Sequence, residues 1–379
     1  MPFLSTCFLI VTATRKKYME HTFKKWDSRL LFFILLFTIW GAVTFFSVSS
    51  PISQRDYGNS YAYELSFLSK NVLLGTCAFL IFSFLSWRSL RKISLPLFLL
   101  TFLFVLGTFI PGIQLGGESA HRWVNLGFIS FQPSEFLKFS FLLWFAFFIP
   151  QIRREFQSSV HKGLVVIGII SLVSLFVYLQ PTLSTLLIMW VSLMVAYISL
   201  KPNVQELMPF FIVIGIFLVF SLFWGYRVDR ITSFLSGGST EVDYQKNQSQ
   251  LAVGSGGLLG KGLGNSKVKL IGLPLMISDS IFSVYAEEVG FIGSVALIGA
   301  WLFFIWHIVQ KAERSRDQDK RFFAYGVAAW LSLQAFIHIA SNIGVMPTTG
   351  IPLPFFSYGS SSQIALMAAL GVINGLEYS

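Results

Sequence analysis

Residues 163–200 read GLVVIGIISLVSLFVYLQPTLSTLLIMWVSLMVAYISL. Two apolar runs are separated only by Gln180, Pro181 and Thr182. A bilayer core of about 30 Å needs roughly 20 apolar residues in each helix that crosses it. Each run approaches that length, so the stretch predicts a tight hairpin of two transmembrane helices.

Similar apolar runs recur along the whole chain. With the hairpin they make ten predicted spans, at about residues 30–48, 71–87, 94–111, 136–150, 163–179, 183–200, 207–224, 281–306, 322–342 and 361–376. The pattern predicts an all-α polytopic membrane protein with ten transmembrane helices. In this interpretation residues 1–29 form a cytoplasmic N-terminal segment, and residues 30–379 form a single membrane domain.

The composition excludes several classes of protein. Of 379 residues, 54% are hydrophobic and 12% are charged, whereas soluble proteins average about 25% charged residues. A disordered chain, a nucleic-acid-binding domain and an ordinary cytosolic enzyme are therefore excluded. The two cysteines cannot form a disulfide framework, and the five histidines show no metal-ligand spacing, so we expect no resident metal site.

The distribution of lysine and arginine predicts the orientation. With the N-terminus inside, 18 of the 28 basic residues fall in inside segments, at 15–29, 88–92, 153–162, 201 and 311–321. Cytoplasmic loops are enriched in these residues. Both termini are therefore expected in the cytoplasm, and the long segment 225–280, between spans seven and eight, on the extracytoplasmic side.

That long segment is basic and rich in glycine. Six glycines fall within residues 254–264, interleaved with Lys261. Glycine lets a backbone approach a ligand closely, and lysine binds phosphate as a point charge. The pattern favours a site for an anionic ligand, and an ordinary solvated loop is the alternative, since long loops translocate regardless of charge.

Ionisable residues near membrane depth are functional candidates by default. Glu135 and Lys138 have the i, i+3 spacing of a helical pair, so a structural ion pair is the alternative. Arg122 and Trp123 could bind a phosphate or anchor the chain at the interface. Asp279 stands among apolar neighbours just before the eighth span, where it could be a general base or the N-cap of a helix.

Four segments occur in order along the chain: HRWVNLGFISFQPSEFLKF, YQKNQSQLAVGSGGLLGKGLGNSKVK, DSIFSVYAEEVGFIGS and MPTTGIPLPFFSYGSSS. On these segments the chain resembles the SEDS family, the RodA, FtsW and SpoVE peptidoglycan polymerases, over about residues 27–377. The GLGNSKVK segment is closer to the FtsW-like division branch than to the RodA-like elongation branch.

The resemblance implies an inverting glycosyltransferase that polymerises lipid II at the outer face of the bacterial cytoplasmic membrane. It implies a class B penicillin-binding transpeptidase and other divisome or elongasome membrane proteins as partners, and no nucleic acid. No cofactor is required, although a divalent cation could assist the pyrophosphate. A lipid II flippase and a non-catalytic division scaffold are the rival functions. The implied roles are Asp279 as catalytic base and Arg122, Trp123, Glu135 and Lys138 as substrate-binding residues. Lys261, from the basic and glycine-rich segment, is a further candidate for binding the pyrophosphate.

The chain departs from the family pattern at two places. Leu275 and Ile277 stand where the family usually has Glu and His before the essential acid. The common QPDLGT hairpin begins here at Gln180 and lacks its acid, because Thr182 takes that position. Asp279 itself is kept, so the resemblance still implies an enzyme.

Overall fold

A computed structural model describes residues 26–110, 114–115, 122–125, 127, 130–180, 182–222, 241–271 and 275–376. The helices are α1 Ser28–Tyr57, α2 Ala62–Phe84, α3 Trp87–Gly107, α4 Pro133–Glu155, α5 Ser159–Leu179, α6 Leu183–Ile198, α7 Val204–Leu222, α8 Glu241–Ser255, α9 Val268–Ile271, α10 Ile281–Arg314, α11 Gln318–Asn342 and α12 Ser360–Asn374. Nearly all of the predicted N-terminal segment and part of the long loop lie outside the described residues.

Seven of these helices are long and apolar enough to cross a membrane, namely α1 to α5, α10 and α11. Helices α6 and α12 are apolar but have only 16 and 15 residues. The hairpin predicted at residues 163–200 is present, because α5 ends at Leu179 and α6 begins at Leu183. The protein is a multi-pass membrane protein, and the number of ten spans stays a prediction.

The helices divide into a buried centre and a lipid-facing periphery. The most apolar windows of α4 and α11 are 78% and 67% buried, whereas those of α1, α2, α3 and α10 are only 22–33% buried. Helix α12 packs against α2 and α4. The exposed apolar side chains of the outer helices can face lipid tails, because neither group needs a hydrogen-bond partner.

A small antiparallel sheet precedes α4. Its order is β1 Gln114–Leu115, β2 Trp123–Asn125 and β3 Ser130–Phe131. Leu115 pairs with Trp123, and Val124 pairs with Phe131. The all-α prediction did not include this sheet, because strands of two or three residues are too short to show an alternating pattern.

One end of α10 is tied to the start of α1. Asp27 caps α1 by accepting hydrogen bonds from the backbone amides of Arg29 and Leu30, each at 3.1 Å. The same carboxylate lies 3.0 Å from His307 Nε2 and 3.1 Å from Lys311 Nζ on α10. Burial alone would raise the pKa of Asp27, but the His307 hydrogen bond and the Lys311 charge hold that pKa well below its usual range.

Helix α10 is broken within its first third. Gly290 has φ 72° and ψ −168°, which no helix contains. The glycine loop, residues 256–267, supplies bonds across this break. Lys261 N donates to Glu287 O at 3.0 Å, Gly262 N to Glu288 O at 2.9 Å, Phe291 N to Gly257 O at 2.9 Å and Ile292 N to Leu258 O at 3.1 Å. The loop thus satisfies backbone groups that would otherwise be unpaired at membrane depth.

Two glycines make this contact close enough. A Cβ atom added to Gly290 would lie inside 3.0 Å of Gly260 N, and one added to Gly260 would lie inside 3.0 Å of Glu288 O. Gly260 also has a positive φ, of 80°. Only glycine combines this backbone conformation with the absence of a side chain.

We expect Gly290→Ala to lower the free energy of unfolding by at least about 2 kcal/mol. The backbone conformation of Gly290 is essentially restricted to glycine and costs another residue about 1–3 kcal/mol, and the added Cβ clashes with the loop backbone. Thermal unfolding of the purified protein in detergent measures this. Gly299→Ala on the same helix is the control, since nothing lies within 4 Å of its added Cβ. Equal stability of the two variants would contradict the described break.

Candidate active site around Asp279

Asp279 lies in a tight turn that leads into α10. The carbonyl oxygen of Leu275 accepts hydrogen bonds from the amides of Ser278 at 3.1 Å, Asp279 at 2.8 Å and Ser280 at 3.3 Å. Leu275 has φ 52°, an uncommon conformation for a non-glycine residue. The N-cap of α10 is Ser280. The position of Asp279, one residue earlier, therefore disfavours the N-cap alternative.

Asn342, the last residue of α11, holds this turn to α10. Its Nδ2 donates to the carbonyl oxygen of Asp279 at 2.9 Å. Its Oδ1 accepts from the Ser283 amide at 3.2 Å and from the Ser283 hydroxyl at 2.6 Å. Sequence analysis did not identify Asn342, although a buried amide at the end of an apolar span is a usable signal.

The connection between α11 and α12 covers the other side of the turn. Tyr358 N donates to Ile277 O at 2.8 Å, and Ser357 Oγ donates to Ser278 O at 2.6 Å. A Cβ atom added to Gly350 would lie 3.7 Å from Asp279 Oδ2. The Asp279 carboxylate therefore faces the backbone of this connection, on a turn fixed from both sides.

Glu135 and Lys138 form the predicted pair in the first turns of α4. Lys138 Nζ lies 2.8 Å from Glu135 Oε2, and both side chains are almost fully buried. The ammonium also lies 5.1 Å from the ring centroid of Trp330 on α11. Gln132 N, at the start of α4, donates to Ser361 Oγ on α12 at 3.0 Å. The pair thus lies where α4 meets α11, close to the connection that faces Asp279.

Arg122 and Trp123 lie at the start of the middle strand. Trp123 is 38% exposed, while its neighbour Val124 is buried. The sheet therefore presents the Trp123 ring at the surface and anchors it through Val124. This arrangement suits either stacking on a substrate or anchoring at a membrane interface.

Lys261 is held by Glu287. Its Nζ lies 2.5 Å from Glu287 Oε1 and 2.8 Å from Ser255 Oγ, and 27% of its side chain is exposed. Glu287 also accepts a hydrogen bond from the Ser266 hydroxyl. Lys261 is therefore fixed in the glycine loop, and any charge it offers to a ligand is shared with a carboxylate.

Glu288, the residue after Glu287, holds a second lysine in the same way. Lys269 Nζ lies 2.9 Å from Glu288 Oε1, and both side chains are buried. Ser47 on α1 donates to the same carboxylate at 2.7 Å. The two glutamates thus bind two lysines, one inside the glycine loop and one two residues after it. By contrast, Lys267 is exposed and makes no ion pair within the described part of the chain.

No group of three or more His, Cys, Asp or Glu side chains among the described residues is close enough to hold a metal ion. The described candidates are thus one carboxylate on a hydrogen-bonded turn, two ion-paired lysines and an exposed aromatic ring, each on a different element of the fold. Such a set can accept a proton from a hydroxyl and attract an anionic leaving group.

Comparison with known proteins identifies the family. The family of FtsW, RodA and SpoVE, described as "Cell cycle protein", matches residues 27–379. A probable peptidoglycan glycosyltransferase FtsW from Coxiella burnetii is 33% identical over 365 residues, which cover 93% of this chain and 96% of that protein. One from Geobacter sp. is 33% identical over 356 residues, covering 92% and 95%.

Solved structures agree with this result. A chain from the study "Structural coordination of polymerization and crosslinking by a peptidoglycan synthase complex" is similar with TM-score 0.68 and 26% identity, over 92% of this chain and 97% of that chain. The rod shape determining protein RodA of Thermus thermophilus is similar with TM-score 0.64 and 25% identity, over 93% and 96%. The chain therefore belongs to the family of FtsW, RodA and SpoVE.

Proposed function

We propose that this protein is a peptidoglycan glycosyltransferase that polymerises lipid II for septal wall synthesis. The observation that carries the proposal is the position of Asp279, whose turn is held through its backbone by Asn342 and Ser357. Relatives in the same family carry this activity in their names. A rigid turn at the end of a broken helix suits a base, because catalysis needs a constant distance to the reacting hydroxyl.

The reaction proceeds in one displacement. The 4-hydroxyl of the acceptor sugar attacks the anomeric carbon of the donor, and Asp279 takes the hydroxyl proton. The bond to the lipid pyrophosphate breaks, the pyrophosphate leaves with the electron pair, and the configuration inverts. A positioned base contributes about 10²–10⁴-fold in rate.

Charge on the leaving pyrophosphate is balanced by cations of the chain. Arg122, Lys138 and Lys261 are the proposed partners, with Trp123 and Glu135 completing the substrate site. Lys138 and Lys261 are both paired with glutamates, so each offers a positioned but partly neutralised charge. The exposed Lys267 is a further candidate. A divalent cation could add to this set, and no step depends on it.

The proposal includes a location and a partner. Asp279 lies on the extracytoplasmic side of the bacterial cytoplasmic membrane, with ten spans, both termini inside and the segment 225–280 outside. The placement of 18 of 28 basic residues supports this orientation. A class B penicillin-binding transpeptidase is the proposed partner, because one similar structure comes from a peptidoglycan synthase complex that couples polymerisation to crosslinking.

Asp279→Asn is expected to reduce lipid II polymerisation by at least about 10²-fold while lipid II still binds, because the amide cannot accept the proton. Glycan strands made by the purified variant, and its affinity for lipid II, are the two measurements. Asp279→Glu is expected to be poor as well, since the longer side chain moves the carboxylate. A near-normal rate in Asp279→Asn would remove this residue from the mechanism.

Asn342→Ala is expected to lower kcat by about 10- to 100-fold with little change in KM, because a displaced base costs rate without costing ground-state binding. The matched control is Ser332→Ala, which removes a hydroxyl bonded at 2.6 Å to Ala328 O on the same helix, ten residues before Asn342. Equal kcat in the two variants would show that Asn342 does not position Asp279.

The Glu135–Lys138 pair is tested with a double variant. Lys138→Met alone leaves a buried carboxylate unpaired, which costs about 3–5 kcal/mol of stability. Glu135→Gln with Lys138→Met removes both charges, so the protein is expected to fold. If the lysine binds pyrophosphate, kcat/KM of this folded variant falls about tenfold or more. Recovery of full activity in the double variant would make the pair purely structural.

A further inference from the structure

A cavity lies at the opposite end of the bundle from Asp279. Its volume is about 570 Å³, and it opens between the start of α3, the end of α4 and the connection from α10 to α11. Helix α11 begins beside this cavity and ends at Asn342. Its 25 residues place the cavity about 37 Å from the Asp279 turn.

Four arginines from three segments line this cavity. Arg88 and Arg91 come from the first turns of α3, Arg154 from the last turn of α4, and Arg316 from the connection. Arg91 lies 3.4 Å from Asp319. Arg88, Arg154 and Arg316 are exposed and make no ion pair or hydrogen bond with any residue that the structure describes.

The two acids in the lining do not neutralise these three guanidinium groups. Asp319 accepts from Trp87 Nε1 at 2.9 Å as well as from Arg91. Asp317 lies 2.6 Å from Lys320 Nζ. Both carboxylates are therefore engaged by other partners, and the cavity keeps an excess of positive charge.

One wall of the cavity is apolar. The rings of Trp87 and Phe147 are in contact, with centroids 4.6 Å apart, and Pro150 continues this wall along α4. Cationic and apolar surfaces side by side fit an amphiphile with a negative headgroup. Because three of the lining segments end or begin apolar helices, the cavity lies at the level where lipid headgroups occur.

We propose that this cavity binds the phosphate group of an anionic membrane phospholipid. Guanidinium groups match phosphate with paired hydrogen bonds, and three of them converge here without a counter-ion. The glycerol and upper acyl chains lie against Trp87 and Phe147. The site is independent of the proposed glycosyltransferase activity, because it is at the other end of the molecule.

The test uses the full-length protein in a neutral detergent and measures bound lipid by native mass spectrometry. Phosphatidylglycerol is expected to bind more tightly than phosphatidylcholine. The variant Arg88→Gln/Arg154→Gln/Arg316→Gln is expected to lose roughly fivefold in phosphatidylglycerol affinity for each guanidinium removed. Arg29→Gln is the control, since Arg29 is exposed at the same end of the bundle and does not line the cavity.

A second variant tests the site even if the triple variant fails to fold. Gln151→Glu adds a negative charge to the exposed rim and removes no arginine, so it is also expected to weaken phosphatidylglycerol binding. Glycerol 3-phosphate is tested in parallel. If glycerol 3-phosphate binds as tightly as phosphatidylglycerol and the triple variant loses this binding, the cavity is a phosphate site whose ligand is a soluble molecule.

Three results would overturn the proposal. The first is unchanged phosphatidylglycerol binding in both the triple variant and Gln151→Glu. The second is an equal loss in Arg29→Gln, which would mean unspecific attraction. The third is binding of a polyglutamate peptide with no preference for phosphatidylglycerol, which would make the cavity a site for an acidic protein segment.

Discussion

A membrane requires every buried backbone N–H and C=O group to have a partner, and this constraint shapes the candidate site. Helix α10 is interrupted at Gly290, and the glycine loop replaces the missing helical bonds with four of its own. The segment before the break begins at the Asp279 turn. Backbone bonds from the loop and the Asn342 amide thus fix the direction in which this segment presents Asp279. The rigidity of the site comes from groups outside the proposed chemistry.

The two glutamates at the break add charge to this arrangement. Glu287 and Glu288 are fully buried, and each is bonded to a lysine, Lys261 inside the glycine loop and Lys269 just after it. Buried ion pairs contribute little net stability, because desolvation offsets their attraction, but they can select one arrangement over others. The two pairs tie the glycine loop and the segment after it to α10. The same pairing limits how much of the loop's positive charge is free for an anionic substrate.

Local patterns in the sequence predicted much of this structure. The hairpin at residues 163–200 and the Glu135–Lys138 pair depend on neighbours within a few residues, so they could be predicted. The Lys261–Glu287 pair could not, because its partners are 26 residues apart and meet only through the break. The helix break at Gly290 could not be predicted either, since a single glycine in an apolar run is common in transmembrane helices. The sheet that carries Trp123 was missed because its strands are so short.

Polymerisation of lipid II by the purified protein is the most direct test of the proposed activity. The wild-type protein is reconstituted with lipid II, alone and together with its cognate class B transpeptidase, and the products are separated by length. If the proposed activity is correct, glycan strands that retain one lipid-linked end appear without any nucleotide. A folded protein that binds lipid II and its transpeptidase, yet yields no polymer in either condition, would contradict it.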